Sequence, residues 1–467
     1  MPSRRHRLVG FGLLATIFVA ACADVWGFRD LAGTDGGANT EGGGRSAGSG
    51  SGSGSSSGSG SGASSGSGSS SGSDSGSDSG SDSSGGADSG PVEGGDGGLC
   101  TPGTQICSGT SIVTCAANGQ WGAPWPCATG ACSSGACTGS TTTGQSCQTS
   151  GAGMTNCGTA SESCCTSLEV PGGTYSRTYT NSGSGPMGQA DSANVSGFRL
   201  DKYLVTVGRF RQFVAAWNNG SGYTPSALSG KHTHLNGGRG LVTVGGAAGV
   251  AYEPGWLASD DSNIAPTNAS LACGGAFWTW TPTAGSQENL PISCASWWEA
   301  EAFCIWDGGF LPSESEWEYA AAGGSQQREY PWGTAAPGTS NQYAIYGNGG
   351  PGSANDCYYP TGTLSPCTGV ANIAPVGTAA LGAGLWGHLD LEGDEDEWIL
   401  DFSADYVSPC IDCAYLTPTA PGRVVRASSF SPDSGPMSPA NRSNFVIPPT
   451  PNTYRASYLG FRCARTP

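Results

Sequence analysis

The 467-residue chain has a formal net charge of −17, with 36 acidic side chains against 19 Lys plus Arg. Its only lysines are Lys202 and Lys231, so the clustered cations that neutralise a phosphate backbone are missing, and nucleic acid is excluded as a partner. Nineteen cysteines fit an oxidising compartment, where disulfides persist, rather than a reducing cytosol.

The N-terminus points the same way. Arg4, Arg5 and Arg7 precede an apolar run from Leu8 to Ala21 that is too short for a comfortable membrane span, so residues 1–22 read as a signal peptide. The run ends in Val19-Ala20-Ala21-Cys22, which resembles the lipobox of bacterial lipoproteins, in which the cysteine is lipidated and becomes the new N-terminus. An ordinary signal peptide with an incidental cysteine is the alternative. Setting Cys22 aside leaves 19 − 1, an even number that can pair fully. The chain is therefore expected to be exported and lipid-anchored to the cell envelope. Ala23, rather than Asp, after Cys22 favours the outer membrane by analogy with other lipoproteins.

Residues 23–99 are dominated by Gly, Ser and Asp, which cannot bury enough apolar surface to offset chain entropy. A disordered linker is expected, spanning roughly 45 Å as a flexible coil. Over 100–140 the cysteines at 100, 107, 115, 127, 132 and 137 crowd a segment too small for a real core, so a disulfide-stapled module is predicted. Its connectivity is open, and a structural zinc site is a competing reading that lacks paired C-x2-C units.

Residues 145–467 read as one α+β domain with little regular secondary structure. Thr206 is placed to cap a helix carrying Phe210, Phe213, Val214 and Trp217 at i, i+3, i+4 and i+7, stopped by Asn218-Asn219-Gly220. Ser296-Trp297-Trp298-Glu299 and Ser313-Glu314-Ser315-Glu316 are capping boxes that open two further helices. Glu314, Glu316 and Glu318 are assigned to capping and a solvated face. Between the helices only short β-branched runs such as Arg423-Val424-Val425 occur, so any sheet must be built of short strands.

These landmarks resemble, in order, the formylglycine-generating enzyme, or sulfatase-modifying factor, family. Val170-Pro171-Gly172-Gly173-Thr174-Tyr175 looks like its opening "PGGTF" strand, and Leu204-Val205-Thr206-Val207 sits at its "EVTN" helix start. Residues 302–306 and 310–320 resemble "AYCxW…RLPTEAEWEYA". Tyr330-Pro331-Trp332-Gly333, Pro375-Val376-Gly377 and Leu459-Gly460-Phe461-Arg462-Cys463 complete the series. The resemblance implies a C-type-lectin-related fold stabilised by calcium and disulfides, with Cys294 or Cys304 paired to Cys463.

The departures bear on function. Enzymes of the family oxidise a substrate cysteine with copper and oxygen through two cysteines shortly after an "RGGS" motif. Here that stretch is Arg426-Ala427-Ser428-Ser429, and no cysteine occurs between Cys413 and Cys463. Soft Cu(I) prefers sulfur, so copper is not expected as a cofactor and no catalytic residue is assigned. Replacing both glycines also puts the close backbone packing of that turn in doubt.

Calcium is the expected metal. The family's "DxxGNxWEW" segment is matched from Asp390 to Trp398, and the resemblance assigns ligation to the side chains of Asp390 and Glu397 and the carbonyls of Gly393 and Glu395. Hard oxygen donors suit calcium, and a cation would relieve the repulsion in so acidic a loop. A merely solvated acidic loop is the bland alternative. A second family site would begin at Asn341 and Gln342, with its other ligands unassigned.

His232-Thr233-His234 is the sole close histidine pair of the mature chain. In an extended strand both rings would share a face, as a metal site requires, but a polar loop is the reading taken. Cys357 with Cys367, and Cys410 with Cys413, are expected to close short loops. A redox role for Cys410 and Cys413 is the alternative. The function these readings predict is a calcium-stabilised, non-oxidase binding or structural module for a protein or glycan ligand. A protein-modifying oxidase with an atypical active site is the alternative.

Overall fold

The computed structural model describes residues 144–467, apart from 246–250, 349–355, 418–421, 432–436 and 443–453, together with pieces of 99–137. The expected signal segment, Cys22 and nearly all of the linker lie outside the described residues. Among the described residues no helix is long and apolar enough to cross a membrane.

In the Cys-rich region, Gln105–Ser108 and Ser111–Thr114 form an antiparallel hairpin extended by Trp125–Pro126. Cys107 is bridged to Cys132 and Cys100 is also disulfide-bonded, which favours staples over zinc at these positions.

The large domain is assembled from small three-stranded sheets around three short helices, as the Gly/Pro-rich sequence between its apolar runs requires. The first sheet joins β1 (Ser167–Val170), β4 (Phe198–Asp201) and β10 (Ala464–Arg465), with β4 in the middle and antiparallel to both. The second is the hairpin of β2 (Gly173–Thr180) and β3 (Met187–Val195), to which β6 (Cys410–Ile411) adds in parallel. The third centres on β5 (Asp396–Phe402), antiparallel to β8 (Arg423–Arg426) and parallel to β9 (Leu459–Gly460). A further strand, β7 (Cys413–Ala414), lies parallel to Val242–Thr243.

All three predicted helices form where their caps place them. In α1 (Val207–Trp217) the Thr206 side chain accepts the Arg209 N–H, and Asn218 ends the helix in a left-handed conformation. In α2 (Trp297–Trp306) and α3 (Glu314–Ala321) both halves of each capping box are made. The apolar face of α1 packs on α2 in a core where Phe210 stacks on Phe303 at 5.7 Å and Phe461 closes edge-on at 5.5 Å from Phe303. A second core lies under α3, where Trp317 and Ala320 meet Phe198, Leu200, Ile399 and Val424.

Cys304 on α2 is the residue that pairs with Cys463, while Cys294 pairs with Cys273. Cys357–Cys367 and Cys410–Cys413 are bridged as expected, and Cys147–Cys165 and Cys157–Cys164 add two further staples.

Candidate functional site

The acidic segment at the start of β5 is buried throughout, not a solvated loop. Asp390, Glu392, Asp394, Glu395, Asp396 and Glu397 are each at most 7% exposed. The chain folds this way because Asp390, Gly393 and Asp394 all take left-handed φ values, which coils the backbone tightly. Gly393 cannot be replaced, since a Cβ there would lie 2.7 Å from both the N and O of Ile345. Arg462 enters from the opposite side. Its Nε lies 3.0 and 2.8 Å from the two Glu397 carboxylate oxygens, and its Nη atoms donate to the carbonyls of Leu389 and Asp390.

One guanidinium does not balance six buried acids. Both Glu395 carboxylate oxygens and Asp394 Oδ2 are sealed from solvent without a hydrogen-bond partner. Burial, with Asp394 and Asp396 close by, holds the Glu395 carboxyl well above the usual range. Unpaired buried carboxylates are costly, so this segment suits a hard cation. Among the described residues no three His, Cys, Asp or Glu side chains form a metal cage, so a cation here would depend on backbone carbonyls as well as on Asp390 and Glu397.

Asn341 is buried with φ +58, and its Nδ2 donates to the Tyr358 carbonyl at 3.4 Å. Its Oδ1 is buried and unpartnered, as is Oδ1 of Asp356, two residues before Tyr358. Asp356 is thus a donor that the sequence left unassigned. It lies on the hairpin closed by Cys357–Cys367, paired with Pro366. Gln342 is exposed, and its backbone carbonyl accepts from Leu381 N–H.

The carboxylates of α3 correct a sequence expectation. Glu314, Glu316 and Glu318 cap the helix in part, but none lies on a solvated face, because buried cations meet each of them. Arg426, the arginine of the "RGGS" counterpart, donates to Glu314 Oε1 at 3.0 Å, to Glu318 Oε2 at 2.6 Å and to the Tyr406 hydroxyl at 2.6 Å. Burial works against its charge, but Glu318, Tyr406 and Glu314 outweigh that and hold it protonated. Arg442 adds a two-pronged contact, Nε and Nη2 donating to Glu314 at 2.7 and 2.8 Å. Beyond Arg426 the chain turns at Ala427 with φ +72, so at this position alanine keeps a conformation that favours glycine. The described cysteines flanking the turn in sequence, Cys413 and Cys463, are both in disulfides.

Beside this hub opens a pocket of about 410 Å³ lined by Arg177, Asp191, Asp405, Tyr406 and Arg442. The Tyr406 ring lies under two guanidiniums, Arg177 at 4.2 Å and Arg442 at 4.4 Å from its centroid. None of these five residues was singled out from sequence. The usable signal was the strand Tyr175-Ser176-Arg177-Thr178-Tyr179, whose period of two puts Arg177 on the buried face between two tyrosines.

Glu316 meets the third cation, in the loop that carries the histidine pair, which is irregular and turn backbone as expected but buried at His232. His232 is fully buried, with Nδ1 3.0 Å from Glu253 and Nε2 3.0 Å from Glu316. Burial opposes a charge there, but Glu253 and Glu316 outweigh it and push the pKa up to about 10. His234 lies 6.2 Å from His232, ring to ring, stacked on Phe310, in a turn and not a strand.

Comparison with known proteins places these features. A family model described as a sulfatase-modifying factor enzyme 1-like domain matches residues 155–467. The formylglycine-generating enzyme of Thermomonospora curvata is 30% identical over 325 residues, covering 64% of this chain and 93% of that protein. The inactive C-alpha-formylglycine-generating enzyme 2 of Bos taurus is 47% identical over 62 residues, covering 12% of this chain and 21% of its own. Among solved structures, PvdO from Pseudomonas aeruginosa aligns over 64% of this chain and 94% of its own at 16% identity and a TM-score of 0.34.

Proposed function

This chain belongs to the sulfatase-modifying factor enzyme 1-like family, and from that premise we propose that it is a cell-envelope lipoprotein whose domain binds a ligand and does not oxidise one. The observation that carries the reading is the turn after β8. Arg426 is locked between Glu314, Glu318 and Tyr406, the turn that follows holds Ala427, Ser428 and Ser429, and the cysteines on either side of it in sequence are consumed in disulfides. A copper centre needs soft thiolates, and the residues at hand are hard oxygen donors and guanidiniums. A relative of this chain is itself named inactive, which accords with the reading.

Calcium is the cofactor this reading calls for. The side chains of Asp390 and Glu397 and the carbonyls of Gly393 and Glu395 would hold one ion. Asn341, the carbonyl of Gln342 and Asp356 would hold a second. The ion would supply the positive charge that the buried acids lack and would fix the coil before β5. The scaffold would be related to the C-type lectins, with Cys22 as the lipid anchor and the outer membrane as the site of anchoring. The ligand would be a protein or glycan of the envelope, or a small molecule presented there.

The test is elemental analysis of the purified protein with incubation of a cysteine-containing sulfatase peptide. Bound calcium, absence of copper and an unchanged peptide are the expected results. Stoichiometric copper with conversion of the cysteine would establish the other reading, an oxidase with an atypical active site, which the 30% identity to a formylglycine-generating enzyme favours.

A further inference from the structure

Six arginines are buried among the described residues: Arg177, Arg199, Arg209, Arg426, Arg462 and Arg465. All but one have a carboxylate partner. Arg199 faces Glu169, Arg209 and Arg465 share Asp201 and Asp307, Arg426 takes Glu314 and Glu318, and Arg462 takes Glu397. Arg177, only 4% exposed, has no carboxylate within ion-pair distance among the described residues. Its Nε donates to the Asp191 carbonyl at 3.0 Å and its Nη2 to the Val407 carbonyl at 2.8 Å. Its Nη1 makes no hydrogen bond to a described residue. This guanidinium lines the open pocket; it feels the charge of Glu318, but that acid is in contact with Arg426 and Tyr406, so Arg177 is left without a direct ion pair, which a ligand could supply.

We propose that this pocket binds the carboxylate of an α-amino acid unit, either a free amino acid or the C-terminal residue of a peptide, with Arg177 as the carboxylate anchor. It rests on the binding reading above and names the ligand class of a site beside the Arg426 hub. Four features of the pocket fit that class.

Two guanidiniums, Arg177 and Arg442, line the pocket in a chain whose net charge is −17, and of the two only Arg442 is paired, to Glu314. The anchor is also held in place in advance. Tyr406 supports the Arg177 guanidinium at 4.2 Å, and its own hydroxyl is fixed by Arg426 and Glu318. A planar guanidinium already oriented suits a planar carboxylate.

The rim carries the opposite sign. Asp191 accepts from the Thr178 hydroxyl through Oδ2 at 2.6 Å, and Asp405 is exposed at the mouth. Two carboxylates in the lining disfavour a phosphate dianion and accept an N–H donor, the group that stands next to the carboxylate in an amino acid unit other than a peptide's C-terminal proline. The pocket volume, about 410 Å³, falls in the ordinary range for a small ligand.

The experiment is calorimetric titration of the full chain with the standard free amino acids and with Gly-Gly-Xaa tripeptides, each as the acid and as the C-terminal amide, and with inorganic phosphate. The acid form of at least one probe should bind saturably, with its amide weaker by about tenfold or more, the loss of a charge-assisted pair. Arg177→Met should abolish that difference. Asp405→Asn, on the exposed rim, should weaken the best probe by roughly threefold with no change in melting temperature, which keeps the test open if the buried variant does not fold. The proposal is overturned if no acid binds more tightly than its amide, or if phosphate binds as tightly as the best acid. Free amino acids binding without the tripeptides, or the reverse, separates the two sources. Chemical alteration of a bound probe, read by mass spectrometry, would defeat the binding reading and leave the ligand class standing.

Discussion

Arg462 grips Glu397 with a single nitrogen, Nε lying 3.0 Å from one carboxylate oxygen and 2.8 Å from the other, with neither side chain exposed to solvent. Removing the acid strands a buried guanidinium. Glu397→Gln should therefore lower stability by about 3–5 kcal/mol, read from guanidinium chloride unfolding at pH 7. A loss below about 1 kcal/mol would mean that Arg462 is neutralised by something else, its carbonyl partners included.

Chelation should act on the same coil. Adding EGTA to the purified protein should lower its melting temperature, and restoring calcium, but not magnesium, should recover it, because the candidate donors are carbonyls and carboxylates, which suit the larger and less strictly octahedral calcium shell. Asn341→Ala should make part of that calcium dependence disappear while leaving the Asp390 segment responsive. Identical melts with and without chelator would remove calcium from the account.

The His232 clamp predicts a pH dependence with a definite sign. Its pKa is pushed up to about 10 in the folded chain, so the folded state holds a proton that the unfolded state releases near pH 6.5. The stabilisation is fully present below that value and is lost as pH rises through the folded pKa. The melting temperature should fall between pH 7 and pH 10, and His232→Gln should flatten that slope. An equal slope in the variant would show that the clamp carries no charge.

The bridges should differ in worth according to the loops they close. Cys304–Cys463 spans 159 residues and Cys410–Cys413 only 3. Loop-closure entropy gives about 5 kcal/mol for the first and about 1–2 for the second. Paired Cys→Ala variants compared by urea unfolding check the ratio. A larger loss at Cys410–Cys413 would point to a role beyond the staple, in holding β6 and β7 on their separate sheets.

The local signals in the sequence were strong where a few neighbouring residues decide the outcome. Ser296 with Glu299 and Ser313 with Glu316 make their capping boxes because both partners lie within one turn. The partners of Glu314 and Glu318 were hidden for the opposite reason. Arg426 is 112 and 108 residues away, and an acid on a helix reads as solvated until the fold brings a cation to it. The acid partners of His232 are hidden likewise, since Glu253 and Glu316 come from two other segments. The Tyr406 pocket is assembled from four separate stretches of chain, and only the alternation around Arg177 left any trace in the sequence.

The pairing of β4 with β10 sets the order of events when the chain is made. Asp201 meets Arg465 across 264 residues, and Arg209 on α1 shares Asp201 and Asp307 with that same arginine. Contacts so far apart in sequence make folding slow, because most of the chain must be gathered before they form. Until residues 459–465 are available, β4 lacks a neighbour, the α2 cysteine lacks its partner, and two buried acids lack one of their cations. A nascent chain therefore leaves apolar surface uncovered throughout its synthesis, until its final strand docks.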